Sequence, residues 1–211
     1  MKLKQIIGVI MVFSIFGFKG KTPEYRFWTW FENNQEMLFE FEKDREKIFD
    51  KITLQMHKID ENLTFEFGPV TKNGNREFVI SADGIIKSFP SVEKLFETAP
   101  KLDKWKFVKF RPRRNPMTVQ LSGLEIKPEN VKCQLFKDKE KVGIMLFFEN
   151  YTQEQNNLYA RIGYLLLDES IGEYDVETKV GFIEFSSNKS KYFENSFPLI
   201  ELSSRFDEQF R

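Results

Sequence analysis

The sequence predicts an α+β fold: a mainly antiparallel sheet with two ββαβ units and a long N-terminal helix packed on it. Three observations carry this expectation. Leu38, Phe41, Ile48, Phe49, Ile52, Met56 and Ile59 recur at helical spacing and make one apolar stripe. Leu63, Phe65 and Phe67 alternate with polar residues, as a half-buried strand requires. The order hairpin, helix, strand then occurs twice, at 63–111 and at 131–185.

Taken in chain order, the helix is expected over Asn33–Ile59. The Asn33 side chain supplies the cap and Glu36 faces the positive helix end. The aromatic run from Phe27 to Phe31 reads as a lead-in packed on the core. Asn73-Gly74 tolerates the positive φ angles of a two-residue type I′ hairpin turn between Leu63–Phe67 and Arg76–Ser81, and Ala82-Asp83-Gly84 ends the second strand. Pro90-Ser91 opens a short helix with Val92, Leu95, Phe96 and Ala99 on one face; Pro100 stops it, and Trp105–Arg111 is the next strand. In the second unit, Val131–Phe136 and Val142–Phe148 form a hairpin around the charged tip 137–141. Thr152 and Gln155 read as a capping box before a helix that buries Leu158, Ile162, Leu165 and Leu166. Lys179–Phe185 closes the unit, and a helical turn follows Pro198. The two units share no residue-level identity. They could contribute to one sheet or form two small lobes; the absence of Ser/Gly/Pro-rich linkers favours a single domain over 21–211.

With 211 residues, 24 Phe and 3 Trp, the chain has the apolar area to order one sizeable core. Lys+Arg and Asp+Glu are both 32, so the basic excess that usually marks phosphate neutralisation is missing and nucleic acid is not an expected partner. One cysteine, Cys133, excludes an intrachain disulfide, and one His with one Cys excludes a His/Cys zinc site. No Gly-rich phosphate loop or Gly-x-Ser-x-Gly elbow is present, so no cofactor is expected.

Residues 1–20 read as a signal-like or anchor segment. Lys2 and Lys4 precede thirteen uncharged residues, Ile6 to Phe18, which fits an export signal and is short for a bilayer span of about 20 residues. Export to the periplasm or an N-terminal membrane anchor is the expectation. A buried helix or a later start at Met11, with a cytoplasmic protein, is the alternative.

Cys133 alternates with Val131 and Leu135 on an apolar strand face, so an inert buried thiol is expected rather than a pair with His57, which lies off the helical stripe. The basic run Lys101, Lys104, Lys106, Lys109, Arg111, Arg113 and Arg114 faces only Asp103. A solvated edge strand guarded by lysines accounts for it. The sharper reading is a clamp of Arg76, Arg111, Arg113 and Arg114 on an anionic partner, an acidic protein or a small anionic ligand. The acidic run Asp168, Glu169, Glu173, Asp175 and Glu177 matches no EF-hand spacing, so intramolecular pairing with the basic run, or solvation, is expected. No residue is assigned a catalytic or metal-ligating role.

The stretches Trp30–Asn34, Phe65–Pro69, Arg76–Gly84, Phe110–Arg113, Leu166–Asp168 and Gly172–Asp175 resemble a family of uncharacterised bacterial proteins. The resemblance spans roughly residues 28–185 and implies a bacterial origin and one architecture. It implies no activity, cofactor or site residue. The functional expectation is a non-enzymatic binding module at the cell envelope. The alternatives are an enzyme that joins Glu66, Asp83 and Arg76 in a cleft to act on an anionic substrate, and a cytoplasmic regulatory or immunity-type protein.

Overall fold

The computed structural model describes residues 22–211, so the signal-like segment and Met11 lie outside the described residues. The fold is α+β, with mostly antiparallel sheets. The first lobe contains α1 (Pro23–Phe39), α2 (Arg45–Met56), β1 (Thr64–Val70), β2 (Arg76–Ser81), α3 (Phe89–Glu97) and β3 (Trp105–Lys109). A small hairpin follows, β4 (Val119–Leu121) and β5 (Leu124–Ile126). The second lobe contains β6 (Lys132–Asp138), β7 (Lys141–Phe148), α4 (Asn156–Ile171), α5 (Glu173–Lys179), β8 (Val180–Ser187), β9 (Phe197–Pro198) and α6 (Leu202–Glu208).

The two units share a topology but not a sheet. β1 and β2 pair antiparallel, and the crossover through α3 returns β3 parallel to β2. β6 and β7 repeat the hairpin, and α4 with α5 returns β8 parallel to β7; β9 adds to the far side of β6. The helical crossover is what permits a parallel neighbour, since a two-residue turn permits only antiparallel pairing. Each sheet has its own core. In the first, Phe27, Phe31, Phe78 and Trp105 centre an aromatic cluster; in the second, Ile144, Leu146, Phe148, Tyr159 and Leu166 pack between β7 and α4.

The first helix starts ten residues earlier than expected. Thr22 accepts a hydrogen bond from the Tyr25 amide, Pro23 occupies the first turn and Glu24 follows, a stronger start signal than Asn33, which lies mid-helix. Phe27–Phe31 is therefore helix, and Phe27, Trp28 and Phe31 are buried. The expected long helix is also broken: residues 41–44 form a 3₁₀ turn that stacks Phe41 on Phe67, with ring centroids 4.6 Å apart, before α2 begins. Every residue of the Leu38–Ile59 stripe still packs in the first core.

Other differences are local. The first hairpin closes through Thr71–Asn75, with only Gly74 at positive φ; the Gly74 amide bonds the Thr71 carbonyl, so a longer turn replaces the two-residue one. Thr152 makes no cap bond, and α4 is entered through a 3₁₀ turn at 153–155. Leu165 is exposed, and Leu167 and Ile171 complete the buried face in its place. Among the described residues, no helix is long and apolar enough to cross a membrane.

Candidate functional site

Phe110 turns the chain out of β3. Its backbone takes φ +58°, rare for a bulky residue, while its amide bonds the Ile80 carbonyl and its ring packs on Phe89 and Tyr174. Residues 111–117 then run along the C-terminal end of α4. The Arg114 amide donates to the Glu169 carbonyl, the Met117 amide to the Glu169 carboxylate, and the Glu173 amide to the Arg111 carbonyl. Gly172, at φ +84°, lets this segment pass: an added Cβ would lie 3.5 Å from the Arg111 carbonyl oxygen and 3.3 Å from Arg113 Cγ.

Glu173 is fully buried at this junction. One carboxylate oxygen accepts from the amides of Ala82 and Gly84, both at 3.1 Å, and the other accepts from the Arg111 amide at 2.9 Å. The turn that offers the first two amides holds Asp83 and Gly84 at positive φ, so successive N–H groups converge as an anion nest filled by the protein's own carboxylate.

Arg111 lies over the outer face of the first sheet. Its Nε pairs with Glu66 of β1, Nη2 with Asp83 at 2.9 Å, and Nη1 with Asp168 of α4 at 3.4 Å. One guanidinium thus faces three carboxylates, with Glu173 and Glu177 close by. Burial, assisted by Glu173, Glu177 and Asp83, pushes the Asp168 carboxyl up to about 7 against the opposing pull of Arg111. Asp168 is the most distant of the three partners, so the guanidinium charge compensates it least. Arg111 is held more firmly protonated than usual: its bond to Glu66 and the charges of Glu66, Asp83 and Glu173 outweigh its burial.

Arg113 donates from Nε to the Ile171 carbonyl at the end of α4 and pairs with Asp175 at 2.6 Å and Asp207 at 2.9 Å. A cation at a helix C-terminus also meets the negative end of the helix dipole. Arg114 pairs with Glu77 of β2 at 2.9 Å, and Glu77 also takes Lys106 at 2.8 Å. The basic and acidic runs therefore meet inside the molecule.

Of the four arginines proposed as a clamp, Arg111, Arg113 and Arg114 come together at the junction and Arg76 does not. Arg76 opens β2 whereas Arg111 follows the end of the parallel strand β3, which at about 3.3 Å per residue separates them by roughly 20 Å along the sheet. Arg76 is buried between the rings of Phe39 and Phe41, at 5.2 and 4.6 Å, and pairs through Nη2 with Glu42 at 2.7 Å. For the same reason, Glu66 and Asp83 meet at Arg111 and not at Arg76. An external anion at any of the four would compete with a carboxylate of the chain itself.

Cys133 is fully buried in the second core, where burial pushes its thiol up; His57 is exposed at the end of α2 in the first lobe. Among the described residues, no cluster of His, Cys, Asp and Glu has the arrangement of a metal site. Open cavities lie beside the junction and in the first lobe. One, of about 410 Å³, lies beside the junction and is lined by Phe110, Arg111, Arg113, Gly172, Tyr174 and Asp175 among others. The larger, of about 560 Å³, lies in the first lobe between the end of α1 and the loop entering β3.

The charge runs signalled this junction in the sequence. Nothing in the sequence signalled the Glu173 nest, because the two turns it joins are 62 to 91 residues away along the chain. Comparison with protein-family models, with curated proteins and with solved structures finds no match to this chain.

Proposed function

We propose that this chain is a non-enzymatic binding module of the bacterial cell envelope, with the two lobes serving as a fixed scaffold for a surface recognition groove. The observation that supports this most is the contrast in how its charges are used. At the junction, Arg111, Arg113 and Arg114 are all engaged by internal carboxylates, which is architecture. In the 560 Å³ groove, charged side chains of both signs face solvent beside two aromatic rings, the composition of a site for a small polar partner. The envelope location rests on the pattern of Lys2, Lys4 and Ile6–Phe18. Fractionation of tagged full-length protein tests it, with recovery wholly in the cytosol as the contrary result.

Thermal melting of the full-length protein against a panel of anionic and zwitterionic small molecules tests the binding reading. A saturable rise in Tm, with the compound recovered chemically unchanged, is the expected outcome, because a ligand that binds only the native state raises stability by mass action. Conversion of a compound would overturn it.

One observation favours the enzyme alternative. A carboxyl that titrates near 7 can give and take protons at neutral pH, and Asp168 does so beside Arg111, which could orient an anionic substrate. On that reading, Asp168→Asn abolishes a turnover that the wild type shows.

A further inference from the structure

We infer that the groove at the end of α1 is a binding site for a small zwitterion of about dipeptide size, bound through its free ammonium and free carboxylate at once. This rests on the binding-module reading above and names its ligand class.

The groove is about 560 Å³ and open to solvent, within the range of roughly 300–1,000 Å³ usual for small-molecule sites. Its lining includes Glu36 from α1 and Lys101, Asp103 and Lys104 from the loop entering β3. Within the same basic run, Lys106 closes on Glu77 and Lys109 on Glu93. Of the charged residues lining the groove, Glu40 is closed on a counter-ion, Lys43 at 2.7 Å, and the others are not. Among the described residues, Glu36, Lys101 and Asp103 have no ion-pair partner, and the Lys104 ammonium lies 5.8 Å from the centroid of the Phe39 ring. A simple anion there meets the unpaired carboxylates of Glu36 and Asp103 as well as two ammonium groups, and a simple cation meets the converse. Only a ligand with both charges can pair with each set while repelling neither.

The apolar wall is Phe39 and Trp105, whose rings meet edge to face at 5.6 Å. It is preorganised from behind. Arg76 is 4% exposed, stacks between Phe39 and Phe41, and leaves Nε and Nη1 without a hydrogen-bond partner. That buried cation holds the Phe39 ring in place, so little side-chain entropy is lost when an apolar ligand side chain packs on it. The ligand class that satisfies charges and wall together is a short unblocked peptide with an aromatic or large aliphatic side chain.

The test is a titration of isotope-labelled full-length protein with the dipeptide Ala-Phe, its N-acetyl form and its C-terminal amide, followed by amide NMR, with the peptide recovered and weighed by mass spectrometry. Ala-Phe is expected to give saturable shifts at residues 101–105 and at the Trp105 indole. Each blocked form, and each of Glu36→Gln and Lys104→Gln, is expected to weaken binding by about two- to fivefold, the worth of one exposed ion pair. Equal binding of blocked and free peptide, saturation confined to other residues, or no saturation overturns the inference. Cleavage of Ala-Phe in the tube would instead overturn the non-enzymatic reading while the groove assignment stands. Intact peptide with no shifts, beside a Tm rise with some other compound, sinks the zwitterion site and spares the binding module.

Discussion

Asp168 and Glu173 bring two buried carboxyl groups to one junction. Asp168 keeps its proton up to about pH 7 in the folded protein, whereas an unfolded aspartate releases it near pH 4. Between those values the native state binds more protons, so this residue makes stability fall as pH rises from about 4 to about 7 and leaves it flat above. Glu169 and Glu177, also raised by burial, act in the same direction. Asp168→Asn should therefore raise Tm at pH 8 more than at pH 5, and melts across that range check it; an equal shift at both values would count against a protonated Asp168. At Glu173 the carboxylate is held by three backbone amides. Glu173→Ala leaves those donors buried without an acceptor and should cost about 3–5 kcal/mol in urea unfolding.

At the scale of elements, close packing overrides propensity. Gly163 is mid-helix in α4, where alanine would ordinarily stabilise by about 1 kcal/mol. Here a Cβ would lie 2.2 Å from the Phe185 ring of β8, so the helix can lie on the sheet only with glycine at this position. Gly163→Ala should destabilise by about 1–3 kcal/mol, and Phe185→Leu should recover part of the loss in a double-mutant cycle. Gly143 of β7 admits the ring of Phe182 in the same way on the opposite sheet face. Strand alternation and the Leu38–Ile59 stripe were legible because their periods are local. Helix ends were less so: the break at 41–44 follows from Phe41 reaching Phe67, a partner 26 residues on.

As a whole molecule, the protein is two ββαβ lobes, each with its own core, tied by residues 110–117 and their ion pairs. Arg111→Ala would leave Glu66, Asp83 and Asp168 facing one another without a cation. Calorimetry should then show the single unfolding transition expected of the wild type split into two, with a loss of about 3–5 kcal/mol in the less stable lobe. Because Arg111 is shielded from solvent, the coupling it provides should weaken only slightly between low and high salt. A wild type that already melts in two steps would show that the junction does not couple the lobes.

The sequence by itself determined the α+β class, both hairpin–helix–strand units and most of the apolar face of each element, and it offered pairing of the acidic with the basic run beside solvation, since all of these depend on spacing or composition read over a few turns. Only the tertiary structure decided that the units form separate sheets, that each closes on a parallel strand, and that three of the four proposed clamp arginines converge while Arg76 is held between two phenylalanine rings. Those outcomes depend on which distant backbone amides, carboxylates and rings share one place. A buried charge such as Arg111 or Glu173 is tolerable only where such partners surround it, and linear spacing does not encode that neighbourhood.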